Sequence, residues 1–187
     1  MHKATLYKDK YRVESTRLRE WDYSSFGYYF VTICTKNMEC VFGEIEDGEM
    51  RLSGIGEIVS EGWQKTEQIR ANVKLDGWIV MPNHIHGIII LTNDHRKNVE
   101  TTHRVVSTLK PNSLGSIIGQ FKSITTKRIH SIGHSDFAWQ SRFYDHIIRN
   151  EKSLQKIREY IHNNPLKWDI DENNPDFLEE RRKNEVL

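Results

Sequence analysis

The stretch Val80-Met81-Pro82-Asn83-His84-Ile85-His86-Gly87-Ile88-Ile89-Ile90-Leu91 constrains this chain more than any other. After the Pro82-Asn83 turn signal it reads as an apolar β-strand, and successive side chains of a strand point to opposite faces. His84 and His86 therefore share one face, while Ile85 points to the other. Two imidazoles on one face can grip one ion, since neutral imidazole is a common ligand for divalent metals. Two ligands leave such a site open, so an added protein ligand and a substrate oxygen are expected to complete it. An isolated pair of this kind is more often two hydrogen-bonded structural histidines. What decides between the readings is which other residues reach that face.

The flanking segments build a sheet around this strand. Tyr28 to Thr35 is rich in β-branched and aromatic residues, and a hairpin follows through Val41, Phe42 and Ile45 to the Asp47-Gly48 turn. Ser53 can cap a helix with Ile55, Ile58, Val59 and Trp63 at helical spacing, ending near Arg70. Val73 to Val80 is the next strand, adjacent to the strand of the two histidines. Residues 93–110 are polar and read as a mobile loop. Ser113 opens a second helix, in which Leu114, Ile117, Ile118, Phe121 and Ile124 form an apolar side and Lys122, Lys127 and Arg128 fall elsewhere. Arg142 to Arg149 reads as a strand, and Asn150 caps a third helix with Leu154, Ile157 and Ile161 as its buried stripe.

This order predicts an α+β fold: a ferredoxin-like split β-α-β core, an antiparallel sheet with two helices on one face, plus a C-terminal helix. Residues 1–25 read as an N-terminal arm, 26–168 as one domain and 169–187 as a loosely packed acidic tail. That tail holds seven acidic and three basic residues, which leaves 24 basic and 19 acidic before it. The body is mildly basic, which permits nucleic-acid binding without requiring it. No apolar run is long enough for a membrane helix, so no membrane partner is expected. The charged N-terminus lacks a signal-peptide core and points to the cytoplasm. Cys34 and Cys40 are not spaced as a metal knuckle and read as free thiols.

The third helix carries Tyr160-Ile161-His162-Asn163-Asn164-Pro165. Residues four apart share a helix face, so Tyr160 and Asn164 project together, with Cβ atoms about 5–6 Å apart. If this helix packs beside His84 and His86, Asn164 can complete the metal site and Tyr160 can act as a nucleophile. A phenol of pKa about 10 needs such help, and a nearby divalent cation both favours the phenolate and polarises a phosphate. Asn164 could instead cap the helix end before Pro165.

With Met81-Pro82-Asn83-His84-Ile85-His86, the run Trp139 to Arg149 and the Tyr160 to Pro165 motif, the chain resembles the REP-associated tyrosine transposases. These are single-tyrosine HUH nucleases, the letters denoting histidine, hydrophobic residue, histidine. The resemblance covers roughly residues 26 to 168. It implies that His84 and His86 are the metal-binding pair and that Tyr160 is the catalytic nucleophile. This tyrosine would attack a phosphodiester of single-stranded or hairpin DNA, leaving a 5′-phosphotyrosine and a free 3′-hydroxyl. It further implies Mg²⁺ or Mn²⁺, and a monomer, or a homodimer if the tyrosine helix is exchanged. Related insertion-sequence transposases have Gln four residues after the tyrosine, where this chain has Asn164.

Lys122, Lys127, Arg128, Arg142 and Arg149 are the candidates for DNA backbone contacts, with Trp139 or Tyr144 available to stack on unpaired bases. His146 can orient a phosphate or be structural, and His162 is expected on the surface. Two other readings remain open: a DNA- or RNA-binding protein that does not cleave, and a metal hydrolase using water in place of Tyr160.

Overall fold

A computed structural model describes residues 21–92 and 111–184, so most of the expected arm and the 93–110 loop lie outside the described residues. The central sheet contains β1 (Gly27–Cys34), β4 (Val73–Met81), β5 (His84–Leu91) and β6 (Tyr144–Ile148), while β2 (Gly43–Glu46) and β3 (Glu49–Leu52) form a separate hairpin. The sheet order is β4-β5-β1-β6, with every neighbour antiparallel. Together with helices α1 (Gly54–Ile69) and α2 (Leu114–Ser131) this is the expected split β-α-β core. The histidine strand lies at its centre, between β4 and β1.

Alternation along β1 and β5 sorts the two faces. Tyr29, Val31, Ile33, Ile85 and Ile89 meet Ile55, Val59 and Trp63 of α1 and Ile117 and Phe121 of α2. Gly87 belongs to the same face because the Trp63 indole occupies the space a side chain there would fill. The opposite face carries Phe30 and Ile88, covered by Leu154 and Ile161 of α3 (Glu151–Asn163). His84, His86 and Thr32 share this second face by the two-residue period. Ser53, Ser113 and Asn150 cap α1, α2 and α3 by accepting from Gly56, Ser116 and Ser153 backbone N–H groups, which satisfies donors that a helix start otherwise leaves free.

A register shift between Leu75 and Trp78 bulges β4 at Asp76-Gly77. The Asp76 carboxylate accepts two bonds from the Arg158 guanidinium on α3, at 3.0 and 2.6 Å. This fork ties α3 to β4 on one flank of its buried stripe, leaving Tyr160 on the other. It also holds the Asp76 carboxyl below its ordinary range. Arg158 is 37% exposed, so solvent discounts the pair. Arg158→Ala is expected to cost about 1 kcal/mol in chemical denaturation. Because the Asp76 pKa is depressed, that contribution is present above about pH 4 and fades as pH falls further.

Two expectations are revised at the ends of the described chain. Residues 21–25 are anchored: the Trp21 indole donates to Tyr29 Oη at 3.1 Å, and the Tyr23 carbonyl accepts from Leu114 N–H at 2.8 Å. Within the segment read as a loose acidic tail, 169–187, the chain completes a 3₁₀ turn, Pro165–Ile170, and then forms helix α4, Pro175–Asn184. Asn174 is buried between them, donating to the Trp168 carbonyl and accepting from Asp176 N–H. Asn174-Pro175-Asp176 is a helix-start pattern that net acidity masked. No described helix is long and apolar enough to cross a membrane.

Candidate functional site

The β4–β5 hairpin closes through Pro82-Asn83, and its first pair is Met81 opposite His84. This tight turn places His84 and His86 side by side under α3, both almost fully buried. Their Nε2 atoms face each other at 3.0 Å. His84 Nδ1 lies 2.8 Å from Asn83 Oδ1, and His86 Nδ1 lies 2.8 Å from Thr32 Oγ1, its β1 partner. Burial pushes His84 down to about 3. His86 also falls well below the usual imidazole value, by burial first and then by His84, partly offset by Asp171. Both rings are neutral near pH 7, the form in which imidazole binds metal.

Tyr160 Oη lies 3.2 Å from His86 Nε2, and the phenol ring is edge-on to Phe30 and His86. The residue is 41% exposed, so a substrate can reach the hydroxyl. Its pKa is raised by burial and by Asp171, against a lowering contact from the Asn164 amide. Asn164 is buried, and its side chain makes no helix-capping bond. Asn164 Nδ2 donates to Asp171 Oδ2 at 3.4 Å, while its Oδ1 is buried without a hydrogen-bond partner. An unpaired buried acceptor costs about 1–3 kcal/mol, so this unsatisfied carbonyl, on the residue whose amide contacts Tyr160, is a place for a ligand.

Among the described residues, no three His, Cys, Asp or Glu side chains converge as a metal-ligand group. Among the described residues, the orphaned Asn164 Oδ1 is the candidate third donor. Two imidazole nitrogens and one amide oxygen leave positions for phosphate and water, unlike a closed structural zinc site.

The structure brings His84, His86 and Tyr160 into contact and sets Asn164 against Tyr160, while the basic residues of α2 lie elsewhere. Lys122 and Arg128 sit on α2, across the sheet. Lys122 Nζ donates to the Gln140 and Arg142 carbonyls at 2.7 and 3.0 Å, and burial lowers its pKa to about 8. Arg128 donates to Glu61 at 2.7 Å. Both side chains are already engaged within the protein. Lys127, Arg142 and Arg149 are exposed. Trp139 packs against Phe42, Phe121 and Phe137 and donates to Thr125, so it is not a stacking surface. Tyr144 is 51% exposed and edge-on to Phe30, beside the site. His146 is exposed, as is His162. The residue missed from sequence is Asp171, six residues beyond Pro165 and brought back by the 3₁₀ turn.

No protein-family profile matches the chain. An uncharacterized protein of Haemophilus influenzae is 37% identical over 163 residues, covering 84% of this chain and 91% of that protein. A REP-associated tyrosine transposase of Escherichia coli is 27% identical over 94 residues, half of this chain and 45% of the other. The solved structure of a REP-associated tyrosine transposase bound to a REP hairpin superposes with a TM-score of 0.55 at 21% identity, covering 82% of this chain and 74% of that one. The chain belongs to one family with the Haemophilus influenzae protein, and it is REP-associated tyrosine transposase-like in sequence over half its length and in fold.

Proposed function

We propose that this protein is a metal-dependent single-stranded DNA endonuclease and strand transferase acting through Tyr160. The observation that carries the reading is the approach of Tyr160 Oη to within 3.2 Å of His86 Nε2, beside the unsatisfied Asn164 Oδ1. His84, His86 and Asn164 would hold Mg²⁺ or Mn²⁺, of which Mn²⁺ tolerates nitrogen ligands better. Such an ion, when bound, polarises a phosphate and favours the phenolate. The remaining work falls to the chain. Thr32 can accept from His86 Nδ1–H, which turns the His86 Nε2 lone pair toward the site. Tyr160 loses its proton and attacks phosphorus, the P–O3′ bond breaks, and the departing 3′ oxygen gains a proton. The 5′-phosphate stays on Tyr160, so attack by a 3′-hydroxyl reseals the strand without a nucleotide cofactor.

A groove lined by Tyr23, Tyr144, Asp145, His146, Arg149 and Asn150 runs along β6 and offers an unpaired strand an exposed ring and one cation, with one largely buried carboxylate beside them. The hairpin bound by the solved relative supports hairpin DNA as the substrate.

Labelled hairpin DNA with single-stranded flanks, incubated with the protein and either Mn²⁺ or a chelator, tests this reading on a denaturing gel. Cleavage is expected with Mn²⁺ and absent with chelator. Tight binding without cleavage under any divalent ion would favour the non-cleaving binder instead.

A further inference from the structure

We infer that the turn Asp171–Asn174 positions the candidate metal site, orienting His84 through Asn83 and Asn164 through Asp171. Asn83 is fully buried. Its Nδ2 donates to the Asn173 carbonyl at 2.7 Å and the Met38 carbonyl at 3.0 Å. Two carbonyl acceptors fix which end of the amide is nitrogen, so Asn83 Oδ1 must face His84 Nδ1. An amide oxygen only accepts, so His84 carries its proton on Nδ1 and its Nε2 lone pair points at His86. The same reasoning applies to Asn164. The Asp171 carboxylate only accepts, so it draws Asn164 Nδ2 and turns Oδ1 away, into the buried position where nothing else pairs with it.

One short turn thus sets the donor atoms of two of the three candidate ligands. The turn is itself braced: Asp171 Oδ1 accepts from Asn173 N–H at 2.7 Å and from Asn173 Nδ2 at 2.9 Å, and the Asp171 carbonyl accepts from Asn174 N–H at 2.9 Å. The two oxygens of Asp171 divide the work, one holding the turn and the other holding Asn164. Asn83 and Asp171 are positioning residues, which neither touch the reacting atoms nor need to bind the ion. Outer partners of this kind tune metal affinity by fixing the orientation of the ligands.

The inference rests on the metal reading proposed above, and the test separates the two. Mn²⁺ alone is titrated into the full chain and free ion is read by electron paramagnetic resonance, while the His84 tautomer of the metal-free protein is read by ¹⁵N NMR. The wild type is expected to show His84 protonated on Nδ1, and Asn83→Ala to lose that preference. Asp171→Asn keeps the oxygen that braces the turn but places an NH₂ against Asn164, so the Asn164 amide inverts and presents its own NH₂ to the site. Both variants are expected to bind Mn²⁺ roughly tenfold or more weakly. Arg158→Ala, which loosens α3 without touching the turn, is expected to keep the wild-type affinity.

Wild-type affinity in both Asn83→Ala and Asp171→Asn would overturn the inference while leaving the metal reading intact. A wild type that binds no Mn²⁺ would overturn the metal reading, and the NMR tautomer would then decide the orientation of His84 alone. If Asn83→Ala does not fold, Asp171→Asn carries the affinity test and the wild-type tautomer carries the other. His84 protonated on Nε2 in the wild type would overturn the inference outright.

Discussion

Tyr160→Phe is expected to lower DNA cleavage by a thousandfold or more, with a modest change in stability and little in Mn²⁺ affinity. The variant removes one oxygen and keeps the ring that packs edge-on against Phe30 and His86. That oxygen contacts His86 at 3.2 Å and the Asn164 amide, on a residue 41% exposed, so its loss costs about 1–2 kcal/mol. It is also the α3 oxygen that contacts His86, and in the proposed mechanism it is the atom that attacks the phosphate. Deleting a nucleophile from a group of residues that act as one removes nearly all their combined effect, on the order of 10³-fold or more. Cleavage at an undiminished rate would point to water as the nucleophile. Loss of Mn²⁺ binding in the same variant would place Tyr160 among the ligands.

Gly87→Ala is expected to destabilise the protein by about 1–3 kcal/mol, the range for overpacking a tight core. A methyl group at Gly87 would run into the Trp63 ring, which is fully buried and edge-on to Phe121 at 5.3 Å. The ring is fully buried, so the ring, the strand or α1 must shift. For a domain of this size the loss corresponds to a drop of roughly 3–10 °C in Tm. Gly119 on α2 is the control, since a methyl group there meets nothing within 4 Å. Gly119→Ala is expected to stabilise by about 0.5–1 kcal/mol through helix propensity. Gly87 directly follows His86, so its replacement is also expected to weaken Mn²⁺ binding, whereas Gly119→Ala leaves it unchanged.

Elements whose signals are local were legible in the chain. The β-branched and aromatic run Tyr28 to Thr35, the caps at Ser53, Ser113 and Asn150, and the Asp47-Gly48 turn all recur in the fold. The proximity of Tyr160 and Asn164 was legible because a helix fixes it. Asp171 was not, since its place depends on how the turn after Pro165 folds back, which no spacing rule encodes. Lys122 and Arg128 look alike as solvated cations, yet one is spent on backbone carbonyls and the other on Glu61. Trp139 could be read as a stacking ring or as core, and only the three aromatic rings around it decide the matter.

The central claim is that Tyr160 becomes covalently joined to DNA. Trypsin cleaves after Arg158 and Lys167, releasing residues 159–167 as one peptide. After reaction with hairpin DNA and Mn²⁺, followed by nuclease trimming, mass spectrometry is expected to find a 5′-phosphonucleotide on Tyr160 within that peptide. Modification of Tyr144 instead, or full cleavage with residues 159–167 unmodified, would contradict the account.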